Sequence, residues 1–298
     1  MKYEELMNEF LKVKRSLWGP ETYTDLVSQY NNDVYPVIGR MDINEITPPI
    51  LIALLRKIEG RGNINTARRT RARIDQVYRY AIACGYTAYN PACGLVDALQ
   101  PHKVKGHAFL NADTTAFKKF LRAVRDGGKL NEIHYDAWLL IVYTAKRRSE
   151  VAFAEWSEID FAKSLWQIPA ERTKTGKPHA CPLSPSAIRV LQRRNEQRRN
   201  QYIFPHASRE DRPMNRWMIW QSIRRTGYTG KMTLHGVRKI FSTHAHESGL
   251  WSVDAIETQL SHEISGVRGI YNKSIYLGER QRLVDWWGSE IDSWLGTK

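Results

Sequence analysis

Cysteine is scarce in this 298-residue chain, and the three present, Cys84, Cys93 and Cys181, are an odd number without metal-ligand spacing. That excludes a disulfide framework and a cysteine zinc site, and the three are read as free thiols. Long apolar runs are also missing: no stretch approaches the roughly 18 residues of a membrane span. The opening MKYEELMNEF is too acidic and polar for a signal peptide. The chain is therefore expected to be cytoplasmic, with no membrane partner. His244 and His246, two apart, diverge on a helix, and no HExxH pattern occurs, so neither a metal nor a cofactor is expected.

Acidic residues are outnumbered, 31 Asp and Glu against 45 Lys and Arg, which leaves a net charge of +14. Such an excess suits a polyanion, and counterion release from DNA would supply much of the affinity. The excess is uneven. Residues 1–100 hold 13 Lys and Arg against 11 Asp and Glu, leaving 32 against 20 in the remainder, so the second part carries nearly all of the positive field.

The most specific pattern lies between Leu234 and Tyr271, with LHGVR at 234–238, LSH at 260–262 and IYN at 270–272. His235 and Arg238 are three apart, which on a helix places an imidazole and a guanidinium on one face. A phosphate suits that pair, because the planar guanidinium donates two parallel hydrogen bonds and keeps its charge. His262 and Tyr271 are nine apart, too far for one helix face, but Ser265 and Gly266 between them allow a turn that brings imidazole and phenol together. Upstream, TAKRRSEV at 144–151 sets a basic tripeptide between the apolar run AWLLIVYTA and a second helical pattern, SEVAFAEW. Cations at a helix junction, close to free backbone amides, form an anion site.

Together these segments resemble the tyrosine recombinases of the phage-integrase family, in particular the integrases of prophages and genomic islands. The family pattern is an Arg in TGxRxxE, a Lys on a β-hairpin, HxxR, a second His in LxH and a Tyr nine residues beyond it. In this sequence it falls on Arg147 with Glu150, Lys174, His235 with Arg238, His262 and Tyr271. Two neighbouring positions depart: Ala145 stands where glycine usually precedes the first Arg, and Leu234 where glycine is common before HGVR. The resemblance spans nearly the whole chain. It implies a mainly α, two-domain fold, in which a helical core-binding domain precedes a mixed α/β catalytic domain, mostly helical with a small β-hairpin or sheet. It also implies double-stranded DNA as the partner, bound at an attachment-site core. A homotetramer on that DNA, accessory DNA-bending or directionality factors and a nucleoid-associated location follow from the same resemblance.

Domain boundaries are expected at 1–100 for the core-type DNA-binding domain, 101–108 for a linker and 109–298 for the catalytic domain. In the first, Pro48 and Pro49 start a helix through ILIALLRKIEG that Gly60 and Gly62 end. The next helix starts near Asn63 or Asn65, shows Ile74, Val77, Tyr78, Ala81 and Ile82 at helical spacing and closes at Cys84 and Gly85. Its other side carries Arg68, Arg69, Arg71, Arg73 and Arg79. Such a face is either solvated or, as the resemblance implies, laid against DNA, with Arg68, Arg69, Arg71 and Arg73 as the DNA-binding candidates. NPACGL is expected to end the last helix of this domain, and QPHKVKGHAFL, without periodicity, marks the linker.

The second domain opens with helices at about 111–126 and 132–145 and the helix of SEVAFAEW. LWQIPAERTKTGKPHACPL then reads as a hairpin, with Lys174 and Lys177 as cations on its turn and Lys174 at the family position. SPSAIRVLQRRNEQRRN is a helix whose basic cluster, Arg193, Arg194, Arg198 and Arg199, faces DNA or water. At the end, Leu283, Trp287, Ile291, Trp294 and Leu295 form a helical stripe that either closes the chain's own domain or docks onto a neighbouring protomer. Integrases of this type usually carry a further amino-terminal arm-binding domain, whereas this chain enters the core-binding domain in its opening residues.

The chemistry of these groups defines a reaction. Arg147 and Arg238 would hold the non-bridging oxygens of a scissile phosphate, with His235 and His262 donating further hydrogen bonds. Tyr271 would attack phosphorus to give a 3′-phosphotyrosyl link. A phenol with an ordinary pKa of ~10 needs a base, His235, or the local positive field to ionise. Lys174 would protonate the departing 5′ oxygen, and Glu150 would support the arginines. The outcome is integration or excision of a mobile element. A type IB topoisomerase-like enzyme that nicks and reseals, and a catalytically silent DNA-binding relative, are the alternatives. Tyr276, fourteen residues from His262, is the rival phenol.

Overall fold

The computed structural model describes residues 1–101, 110, 114–127, 130–209, 211–224, 226–262 and 274–296. They fall into two compact units, Met1–Lys105 and Gly106–Lys298, each with its own apolar core. The described residues are mostly helical, with one small sheet. No described helix is long and apolar enough to cross a membrane.

In the first unit, α1 (Tyr3–Lys14) is followed by α2 (Pro20–Gln29), which runs on through wide π-type turns at Tyr30–Gly39. Then come α3 (Pro48–Gly60), α4 (Ile64–Ala83) and a 3-10 turn at Leu95–Ala98. Proline begins α3, where its missing N–H would have had no helical partner, and Gly62 leaves the helix at φ +80°. Helix α4 sends Ile74, Val77, Tyr78 and Ala81 into the core, and the Tyr78 hydroxyl donates to Ile43 O at 2.9 Å. Ile82 departs from the expected stripe and is 40% exposed. NPACGL does not end a helix: α4 stops at Ala83, and Asn90 folds the segment by accepting from Ala92 N through its side chain at 3.0 Å. An asparagine that bonds the backbone two residues on makes a turn, and the proline after it keeps Asn90 out of helical geometry.

In the second unit, α5 (Thr114–Asp126), α6 (Glu132–Thr144) and α7 (Arg148–Ala152) precede the strands β1 (Ile159–Asp160), β2 (Leu165–Ile168) and β3 (His179–Pro182). Helices α8 (Pro185–Glu196), α9 (Arg216–Arg224), α10 (Leu234–Glu247) and α11 (Val253–Gln259) follow, and we number the closing helix, Leu277–Leu295, α12. Helix α6 is buried without a break from Asp136 to Thr144, as expected of a helix apolar all round, and the others pack about it. SEVAFAEW is helical only to Ala152; Trp156 N bonds Gln201 O at 2.9 Å as the chain turns into the sheet. The strands pair antiparallel in the order β1-β2-β3, with Leu165 opposite Pro182 and Ile168 opposite His179. The β2–β3 connection is the hairpin that carries Lys174 and Lys177.

Two open readings are decided by packing. The α12 stripe closes its own unit: Trp287 is buried, donates Nε1 to Val142 O at 2.8 Å and meets Phe241 edge-on at 5.3 Å. The α8 cations divide. Arg193 pairs with the buried carboxylate of Asp136 from the surface, and Arg194 is buried 3.9 Å from the same group, so Asp136 engages both cations. Arg198 and Arg199 are exposed, as is the paired Arg193.

Candidate active site

The site is built where α6 stops. Ala145 caps that helix in the left-handed conformation, φ +52°, the geometry that explains why glycine suits this position. The reversal sets Arg147 at the start of α7. Glu150, 1% exposed, accepts from Arg147 N at 2.8 Å and from Arg147 Nη1 at 2.9 Å, fixing backbone and guanidinium together. The Arg147 amide is therefore occupied and is not one of the free amides expected at this junction.

Helix α10 supplies the second half. Thr233 caps it by accepting from Gly236 N at 2.9 Å, which leaves His235 exposed in the first turn and Arg238 buried one turn later. Arg238 donates Nη1 to Ala145 O and Nη2 to Leu260 O at 2.6 Å, and Nη2 lies 3.5 Å from His262 Nε2. Burial first, then the Arg147 charge, pull the Arg238 pKa down to about 10, so the guanidinium stays charged at neutral pH. Its Nε is buried without a hydrogen-bond partner among the described residues. His262 places Nδ1 2.7 Å from Glu257 Oε2; the carboxylate accepts from Nδ1–H and leaves Nε2 turned to Arg238.

Arg147, His235 and Arg238 line one cavity of about 510 Å³, joined by Lys146, Arg148 and Arg216. Arg148 stacks on Trp217 at 3.9 Å. Lys174 lies exposed on the hairpin connection, and Tyr271 lies outside the described residues. Tyr276 donates its hydroxyl to Asp254 Oδ2 at 2.7 Å and holds a left-handed backbone, φ +49°, at the head of α12.

The α4 arginines are unequal. Arg69 is exposed, whereas Arg68 donates to Gln100 O at 3.1 Å. Arg73 donates to Gln76 Oε1 at 2.8 Å and stacks on Trp18 at 4.6 Å, and Arg71 has a buried Nε without a hydrogen-bond partner among the described residues. The sequence reading missed the depth of Lys146 and the partners His179, Gln259 and Arg280 that surround it. Nothing in a run of three cations marks the first as buried. His244, considered with His246 for a metal, stacks on Trp286 at 5.2 Å.

A two-unit helical chain with a three-stranded sheet and this gathering of Arg, His and Arg has the architecture of the tyrosine recombinases. The lambda integrase dimer on its COC′ core site is similar at TM-score 0.66 and 18% identity, over 88% of this chain and 96% of that one. The Tn1549 transposon integrase with circular intermediate DNA is similar at TM-score 0.62 and 16% identity, over 92% and 96%. The chain belongs to the phage integrase family: the family profile of that name matches residues 113–276, and the phage integrase central domain profile matches residues 3–98. It is 33% identical to the integrase of Shigella phage Sf6 and 33% identical to prophage integrase IntS of Escherichia coli (strain K12). Each alignment covers 97% of this chain and 75% of the relative. The chain is accordingly a tyrosine-type site-specific recombinase.

Proposed function

We propose that the cavity holds one DNA phosphate and that the chain cuts and rejoins DNA there through a 3′-phosphotyrosyl intermediate, integrating or excising a mobile element. The observation that carries this reading is the convergence of Arg147, His235 and Arg238 on one cavity, with His262 against Arg238. Two guanidiniums neutralise the non-bridging oxygens and stabilise the charge that grows in the pentavalent transition state, and the imidazoles add hydrogen bonds. Tyr271 Oη forms the bond to phosphorus as the P–O5′ bond breaks. The phenol proton passes to His235, and Lys174 delivers a proton to the leaving 5′ oxygen. Glu150 acts through Arg147.

The new phosphotyrosyl bond conserves the energy of the bond it replaces, so the 5′-hydroxyl of a second DNA reverses the step without ATP. The α4 arginines Arg68, Arg69, Arg71 and Arg73 bind the core-site duplex, and their clustering along one helix supports that reading. A lambda integrase tetramer has been solved on a Holliday junction, similar to this chain at TM-score 0.65 and 18% identity over 92% of this chain and 78% of that one. Four copies of this chain act together in the same way, in the cytoplasm on nucleoid DNA, with accessory DNA-bending or directionality factors setting the outcome. The test is strand exchange between two labelled duplexes carrying a core site selected from a random library. Recombinant joints are expected; supercoil relaxation without joints would instead mark a topoisomerase-like enzyme.

A further inference from the structure

Beside the cavity lies a buried polar cluster to which the strand-cleavage reading assigns no role. Lys146, between Ala145 and Arg147, is 0% exposed, and a lysine is almost never fully buried unless partnered. Its Nζ donates to Gln259 O at 2.5 Å and to Ser261 Oγ at 3.3 Å, and lies 2.6 Å from His179 Nε2. An ammonium has three N–H donors and no acceptor, so three acceptors satisfy it fully. His179 takes that part as a neutral ring with its Nε2 lone pair free. Its pKa is held far below the usual histidine range, by burial first and then by the Lys146 and Arg280 charges.

Arg280 completes the cluster. It donates to the same Nε2 at 3.2 Å, to Ala180 O at 2.6 Å and through Nε to Gln259 Oε1 at 3.1 Å. Gln259 in turn donates Nε2 to Thr144 O at 3.2 Å. Three segments are thereby linked, and each leads to a residue of the proposed cleavage site. The α6–α7 junction leads to Arg147, β3 ends the connection that carries Lys174, and the turn after α11 carries His262. That turn holds Ser261 at φ +54°, a conformation that costs a non-glycine residue energy and persists where its surroundings enforce it. Lys146 grips the turn at Gln259 and Ser261, and Arg238 holds Leu260 O between them.

We infer that Lys146 is a positioning residue for strand cleavage: its buried ammonium fixes the Gln259–His262 turn, and with it the His262 imidazole, against the Arg147 junction and the strand that leaves the Lys174 loop. The inference rests on the strand-cleavage reading of the cavity. Because the ammonium acts through the turn, its loss lowers the rate of the chemical step and leaves DNA affinity in place. A role in stability alone would reduce the folded fraction without changing the cleavage rate of each bound complex.

The test compares the full chain with Lys146→Met in two measurements. Without DNA, amide hydrogen exchange is followed at Leu260, Ser261 and His262, whose N–H groups donate to Ile256 O, Thr258 O and Glu257 O at 3.1, 2.9 and 3.0 Å. With DNA, affinity and single-turnover adduct formation are measured on a nicked duplex carrying the core site selected by the wild type. The expected result is faster exchange confined to that turn, affinity within ~2-fold and adduct formation slowed at least ~10-fold, since small misplacements of a catalytic group cost that much. Wild-type exchange at the three amides, or a wild-type adduct rate per bound complex, overturns the inference. If Lys146→Met fails to fold, Ser261→Ala removes one acceptor of the same ammonium and is expected to give the same split at smaller amplitude; an unchanged adduct rate there overturns it. Should the wild type form no adduct, the strand-cleavage reading fails, while the exchange result still decides whether Lys146 holds the turn.

Discussion

Arg238 shows how narrowly one side chain is specified. Its two terminal nitrogens donate to Ala145 O and Leu260 O, on two segments far apart in the chain. Lysine keeps the charge but loses the fork, so Arg238→Lys is expected to lower single-turnover cleavage by ~100-fold or more, with protein still folded by circular dichroism. Lys174 is tested through its leaving group. Lys174→Ala should slow cleavage of ordinary DNA and recover on a substrate with sulfur at the bridging 5′ position, because a thiolate leaves without a proton; Lys177→Ala should do neither. The buried pair His179 and Lys146 makes stability depend on pH. Burial holds His179 far below its ordinary 6.5 and Lys146 down from 10.5 to about 7. At both, the unfolded chain binds more protons, so stability rises with pH, through His179 up to about 6.5 and through Lys146 from about 7 to 10.5. The melting temperature should climb from pH 5 to pH 9, and His179→Gln should flatten the acid part of the climb; a profile that falls over this range contradicts the assignment.

Helix α12 is where element packing is most exposed to test. Trp287→Ala removes a buried indole and its bond to Val142 O, and should cost ~3–5 kcal/mol in denaturant titrations. The stripe of α12 was legible because a helix of nineteen residues has a period to read, but the same stripe served either a core or a partner surface until its neighbours were known. Likewise α3, α4, α6 and α8 were expected from helix-start signals and apolar spacing. What escaped was short or unlike its surroundings. SEVAFAEW has a helical pattern, yet a bond from Trp156 to Gln201, far along the chain, stops it early. His235 and Arg238 stood out by their spacing, and Arg147, Glu150 and His262 by resemblance to the family motif. Lys146, His179 and Arg280 did not, since burial of a cation is decided by acceptors on three distant segments and leaves no periodic trace.

For the molecule as a whole, the charge excess predicts binding that weakens steeply with salt. Each phosphate neutralised contributes about 0.9 to the slope of log K against log salt, so Arg69→Ala should lower that slope by about 1. Arg68→Ala should change it less, because Arg68 is already engaged with Gln100. Tyr271→Phe, which removes no cation, should leave this slope intact, separating affinity from chemistry. The central claim, that this chain breaks DNA by joining it to its own tyrosine, is tested most directly with a nicked suicide duplex. Wild type, Tyr271→Phe and Tyr276→Phe would be run side by side on a denaturing gel. The account predicts a covalent protein–DNA band for wild type and Tyr276→Phe and none for Tyr271→Phe. A band that survives Tyr271→Phe, or its absence from wild type on DNA the protein binds, contradicts it.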